Sequence, residues 1–153
     1  MMPLNETDFI KDYISRTRVN YERLKKGPYE VTQLINSAVG LLIIPQEKLC
    51  GKIADNMVSE ELLQRIISCS HDNTYSKPLS LSEIARHLRN SIAHARIEFV
   101  AEKSPMHGEP PKIHSIIFRD ENKKASIKIV LTIDLLEEFF FAFSDAAANL
   151  NDE

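Results

Sequence analysis

The chain is short of nearly every residue type that marks a specialised class. It has 4 glycines and 7 prolines in 153 residues, too few for a low-complexity or collagen-like chain. Two cysteines, Cys50 and Cys69, cannot make a disulfide framework. Long apolar runs are missing as well. The longest, Ala38 to Ile44, contains Gly40 and is far too short to cross a bilayer, so no membrane association is expected. The opening residues MMPLNETDFIKDY carry acidic groups and no apolar stretch, unlike an export signal. The expectation is a cytoplasmic protein with reduced thiols. A strong basic excess is also absent. The net charge of −3 argues against a protein that coats nucleic acid, though not against one that touches a few nucleotides.

What is present is one domain's worth of amphipathic helix. A chain of this length buries roughly 68–70% of its unfolded surface and needs no metal or disulfide staple. Residues 1–153 are therefore expected to form a single domain. The first helix is expected from about Thr7, as N-cap, to Lys25, with Ile10, Tyr13, Ile14, Thr17, Tyr21 and Leu24 at helical spacing. A second, apolar on most of its surface, spans about Tyr29 to Ile44 and is stopped by Pro45. A third runs from about Ser59 to Cys69, followed by a loop at 71–78. Ser80-x-x-Glu83 is a capping box opening a fourth helix, expected to reach Phe99. A loop from Ala101 to Lys112 precedes two strand-like runs, 113–120 and 125–132, which should pair as a hairpin. A last helix follows Thr132 and ends near Leu150. The fold class expected is mostly α: a bundle of about five helices with one inserted β-hairpin at about 113–132.

The fourth helix carries the residues with chemical interest. HLRNSIAHARIEF, residues 87–99, contains Arg89-Asn90-x-x-x-His94. At about 100° per residue from Ile84, the core stripe centres near about 30°, with Arg89 near about 140° and His94 near about 280°. The two therefore flank the stripe on opposite sides and do not share a face. Between them lie Arg86, Asn90, Ala93 and Ile97. An identical helix packed on that face by a two-fold would bring two Arg and two His into one seam. Ala93 is small enough to let it approach.

This segment resembles the HEPN superfamily, whose mark is an Arg, four to six residues and a His, often with a polar residue directly after the Arg. The layout is similar too, in particular to a plasmid-borne group with a hairpin before the last helix. The resemblance implies a HEPN-like fold and a metal-independent endoribonuclease of the toxin–antitoxin or abortive-infection kind. It needs no metal and no cofactor, and it acts on RNA as a homodimer, often held off by an antitoxin or other inhibitory protein.

In that reading Arg89 and His94 are catalytic, and Asn90 and Arg86 position the phosphate. The 2′-OH of the RNA attacks the adjacent phosphate. Histidine, with an unperturbed pKa near about 6.5, can take or give the proton. The Arg89 guanidinium fits phosphate oxygens and stabilises the charge growing on them. Asn90 would orient the phosphate or hold the His94 ring. In HEPN toxins silenced by a nucleotidyltransferase antitoxin, a Tyr stands two residues after the His. Arg96 stands there in this chain, which argues against that control.

Other readings compete. A second Arg–His match, Arg65 and His71, reads as surface and loop. His87, His107 and His114 lack the acid or Cys spacing of a zinc site. Cys50 and Cys69 read as small buried fillers. Arg119, Lys123, Lys124 and Lys128 read as a solvated hairpin tip, with a phosphate-guiding surface as the other reading. The alternative functions are two. One is a helix-turn-helix DNA-binding regulator, with SEIARHL and SIAHARIEF as its helices. The other is a HEPN scaffold without catalysis. The unbroken phase of the core stripe and the lack of a Gly at Arg89-Asn90 speak against the first.

Overall fold

The computed structural model describes residues 1–150 apart from 28, 50, 72, 76, 103–107, 109 and 110. Cys50, His107 and most of the expected 101–112 loop thus lie outside the described residues. In chain order the elements are α1 (Glu6–Leu24), α2 (Glu30–Ala38), a π-helical segment (Val39–Ile43), α3 (Ile44–Lys48), a 3₁₀ turn (Asp55–Met57), α4 (Glu60–Ile67), β1 (Ser70–His71), α5 (Leu81–Ala93), β2 (Ile97–Ala101), β3 (Ile113–Glu121), β4 (Ser126–Thr132) and α6 (Ile133–Ala148).

Local chemistry explains most of these boundaries. Asn5 rather than Thr7 caps α1, its side chain accepting from the Asp8 N–H at 2.9 Å. Ser59 and Thr132 cap α4 and α6 in the same way. The Ser80–Glu83 capping box forms in both directions.

Pro45 does not stop the second helix. The chain widens into the π segment, where the Ile44 N–H reaches back to the Val39 carbonyl, and runs on as α3. Pro45 has no N–H to give to the turn before it, and a widened turn accommodates that gap. The extra turn carries Glu47 towards α5. Gly40 sits where this run crosses α1. A Cβ there would come within 2.8 Å of Tyr13 Cδ1, so only glycine lets the two pass so closely.

The expected hairpin is present as β3–β4, with Phe118 opposite Ile129 and Asp120 opposite Ile127. It is not alone. It forms the centre of a four-stranded antiparallel sheet ordered β1-β4-β3-β2. One face of the sheet, Ile116, Phe118, Ile127, Ile129 and Leu131, is buried with Leu81, Ile84 and Leu88 of α5 and Leu136, Phe139, Phe140 and Phe143 of α6. The fold is thus mostly α, with more β than one hairpin. Burying each such Leu, Ile or Phe stabilises it by about 1.5–3 kcal/mol. That core, not α5's own hydrogen bonds, seats α5 against the sheet.

The fourth helix stops at Ala93, not Phe99. Its end is a complete Schellman motif. The Ala95 N–H bonds to the Ile92 carbonyl at 3.2 Å and the Arg96 N–H to the Ser91 carbonyl at 2.8 Å, with Ala95 at φ 55°. The chain then turns into β2, where Ile97 pairs with Phe118 and Phe99 with Ile116. Phe99 is 45% exposed rather than part of a helical core stripe. The early end of the helix has a physical cause. A β-strand followed directly, so apolar residues continued without a gap, and the usual glycine was replaced by alanine. Two further expectations fall with it. Ile97 is no part of a helical face, and α5 is unbroken through Arg89-Asn90, so SIAHARIEF is not a recognition helix.

An alanine in the left-handed region is strained by roughly 1–2 kcal/mol. Ala95→Gly relieves that strain, less the extra backbone freedom of glycine in the unfolded chain. The expected result is a net gain of up to about 1 kcal/mol in urea denaturation, and a loss would show that the turn is held differently.

Candidate functional site

The last two turns of α5 carry the polar residues. Arg89 is half-buried. Its guanidinium donates to Asn90 Oδ1 at 2.7 Å and forms an ion pair with Glu47 on α3. Its Nε is buried and makes no hydrogen bond among the described residues. The guanidinium is therefore gripped from two sides, with its Nε shut away from solvent.

Asn90 spends its amide on the protein. Its Oδ1 accepts from Arg89, and its Nδ2 donates to Asp120 Oδ2 at 3.1 Å. It positions Arg89 and does not hold the His94 ring. His94 stands at the C-cap. Its backbone N–H bonds to the Asn90 carbonyl at 2.9 Å, while its exposed imidazole makes no hydrogen bond among the described residues. The structure therefore joins Arg89 and Asn90 but leaves His94 apart. As the helical spacing requires, a single chain does not assemble Arg89 and His94 around one point.

Arg86 is exposed, and its guanidinium donates to the Tyr75 hydroxyl at 3.0 Å. That contact leads to a buried network. The Tyr75 hydroxyl lies 2.5 Å from His87 Nε2, and His87 Nδ1 lies 2.7 Å from Asp120 Oδ2. His87 and Asp120 are both almost fully buried. A carboxylate only accepts, so His87 Nδ1 carries the hydrogen. Its Nε2, on the far side of the ring, faces the Tyr75 hydroxyl. Burial pushes the Asp120 carboxyl up. Hydrogen bonds from His87 and Asn90, and the attraction of His87, outweigh it, so the net shift is downward. The continuous path runs Arg86, Tyr75, His87, Asp120, Asn90, Arg89, Glu47.

Tyr75, His87, Asp120 and Glu47 were not among the expected site residues. One signal for Asp120 was available. In IHSIIFRD, Asp120 falls on the same alternate face as Ile116 and Phe118, and an acid on an inward face needs a buried partner. The identity of that partner, 33 residues away in sequence, was not readable.

Arg65, His71 and Cys69 lie outside this network. Arg65 pairs with Glu138 at 3.0 Å, and His71 is exposed on the short edge strand β1 rather than in a loop. Cys69 is a half-buried free thiol against the core. Of the basic hairpin residues, Arg119 is bound to Glu98 at 3.2 Å. Among the described residues no group of three or more His, Cys, Asp and Glu is placed to hold a metal. No described helix is long and apolar enough to cross a membrane.

A family model described as HEPN pEK499 p136 matches residues 1–153. No curated protein and no solved structure matches the chain. The match spans the helical run, the sheet and the Arg89–His94 segment alike, and the chain belongs to the HEPN pEK499 p136 family.

Proposed function

We propose that the protein is a metal-independent endoribonuclease of the HEPN kind, a toxin or defence effector that cuts RNA at a homodimer seam in the cytoplasm. The observation that carries this reading is the state of the two motif side chains. Arg89 is held by Glu47 and Asn90 yet its side chain stays 30% exposed, and at the end of the same helix His94 is exposed with no side-chain hydrogen bond among the described residues.

In the reaction, the 2′-OH forms a bond to phosphorus and gives its proton to one His94. The bond from phosphorus to the 5′-oxygen breaks, and the leaving oxygen takes a proton from the His94 of the second copy. Arg89 binds the non-bridging oxygens as their charge grows. The products are a 2′,3′-cyclic phosphate and a 5′-hydroxyl. The acid, the base and the charge clamp are all side chains, so cleavage proceeds in EDTA. A single 2′-deoxy nucleotide at the scissile position blocks it. A strict Mg²⁺ requirement, cleavage of all-deoxy substrate, or a 3′-hydroxyl product overturns the mechanism.

The seam needs a second copy of α5. Its helical face consists of Arg86, Asn90 and the exposed Ala93, since Ile97 is half-buried on β2. Ala93→Arg places bulk and charge at the closest approach. Sedimentation is expected to show a wild-type dimer at micromolar concentration and a monomeric variant without cleavage. A dimeric Ala93→Arg, or a monomeric active wild type, removes this seam. An inhibitory partner that covers α5 would hold the enzyme off until it is released.

A further inference from the structure

The Tyr75–His87–Asp120 network opens on a pocket that the Arg89–His94 pair does not use. It measures about 520 Å³ and is lined by Tyr75, Arg86, Asn122, Lys123, Lys124 and Ala125. Among these described lining residues are three cations and no carboxylate, in a chain whose net charge is −3. Cations gathered on one face of an acidic protein mark a local preference for anions.

The pocket is built rather than incidental. Asn122 Oδ1 accepts from the Lys124 N–H at 2.8 Å and the Ala125 N–H at 2.9 Å, fixing the hairpin turn that carries both lysines. Residues Thr74 and Ser126 exchange two hydrogen bonds at 3.2 Å, fastening the Tyr75 loop to β4. The Tyr75 hydroxyl is anchored from behind by the nearly fully buried His87 and in turn holds Arg86. The other two basic residues of the hairpin do not line the pocket, and Arg119 is neutralised by Glu98.

The geometry points to a phosphate subsite in which Arg86, Lys123, Lys124 and the Tyr75 hydroxyl hold a backbone phosphodiester of the RNA strand, away from the bond that is cut. The guanidinium fork takes two phosphate oxygens, and the ammonium groups act as point charges around them. Location selects a strand over a free nucleotide, and here the inference rests on the nuclease reading above. Arg86, Asn90 and His94 fall on one i, i+4 row of α5. Arg86 is about 12 Å along the axis from His94. A strand reaching His94 passes the pocket about three to four nucleotides away at a duplex-like spacing of about 3.4 Å.

The test is fluorescence anisotropy with a 5′-labelled single-stranded RNA 12-mer, all variants carrying His94→Ala so that the strand stays whole. Lys123→Ala/Lys124→Ala is expected to weaken binding at least tenfold. It should lower the slope of log K against log salt by up to about 0.7, the value of one phosphate contact on a single strand. Lys11→Ala/Lys52→Ala, exposed lysines outside the pocket, should stay within twofold. Unchanged binding by the Lys123/Lys124 variant, an equal loss in the control, or no RNA binding at all overturns the subsite. So does displacement of the RNA by AMP or inorganic phosphate at the RNA's own dissociation constant, which would make the ligand a free phosphate compound. Cleavage by the His94-intact protein is read separately. RNA bound through the pocket but never cut sinks the nuclease reading alone. RNA cut with binding indifferent to Lys123 and Lys124 sinks the subsite alone.

Discussion

Arg89→Ala and His94→Ala are each expected to lower RNA cleavage at least a hundredfold, but with different effects on stability. Loss of a proton-transfer group costs about 10²–10⁴ in rate. Loss of a charge-stabilising donor costs about 10²–10³. His94 is exposed, and its side chain makes no hydrogen bond among the described residues. Its replacement should move stability by no more than about 0.5 kcal/mol.

Arg89 is another matter. The helical wheel alone puts it off the core, with a neutral substitution expected. In the structure it joins Glu47 of α3 to Asn90 of α5. Arg89→Ala strands the half-exposed Glu47 and frees Asn90 Oδ1, and a cost of about 1 kcal/mol is expected. Arg89→Lys is informative. It keeps the charge but not the planar fork, so it should restore stability more than activity. Circular dichroism and urea melts, run beside an RNA cleavage gel, separate the two. Full cleavage by either alanine variant removes the proposed site. A variant that is unfolded as well as inactive assigns the residue a structural role.

The second large effect is expected at Asp120. It is 5% exposed and accepts from both His87 Nδ1 and Asn90 Nδ2. Asp120→Ala leaves the buried His87 donor and the half-buried Asn90 donor without this acceptor and cuts the path between Tyr75 and Arg89. Hydrogen bonds to a charged acceptor contribute about 1.5–3 kcal/mol, and removing one partner of a buried pair costs about 3–5 kcal/mol. A loss of about 3 kcal/mol is expected, corresponding to a fall in Tm of roughly 6–12 °C for a domain of this size.

The pH dependence follows from the lowered folded-state value. The folded protein holds Asp120 ionised at pH values where the unfolded chain has begun to take up the proton. Its contribution is fully present above the ordinary value of 3.8 and is lost as the pH falls through the lowered one. Asp120→Ala should therefore be less stable than wild type at neutral pH, and the gap should narrow in acid. A gap that stays constant between pH 7 and pH 2.5, or a loss under about 1 kcal/mol, contradicts the buried network.

Much of this protein was legible one residue at a time. Caps and periodicity located α4 and α6, and the start of α5, to within a few residues, because capping and amphipathic burial are local properties. The Ser80–Glu83 box needs only its own turn of backbone. The β-branched runs at 113–120 and 125–132 likewise announce a hairpin before any packing is known. Arg89-Asn90-x-x-x-His94, on a capped helix in a chain with a hairpin before its last helix, carried the resemblance to the HEPN superfamily.

Packing over distance decided the rest. Whether Pro45 ends a helix depends on what can absorb its missing hydrogen bond, and here a π turn does. Whether α5 runs to Phe99 depends on Phe118 and Ile116 of β3, which take Ile97 and Phe99 as strand partners. The sheet outgrew its hairpin for the same reason: a strand edge pairs with whatever the chain returns to it. His87, set aside by its sequence neighbours, became the centre of the buried network because Asp120 arrived on the inward face of β3. Local sequence sets what each segment can form. The tertiary contacts that satisfy its buried polar groups and strand edges select which of those forms it takes.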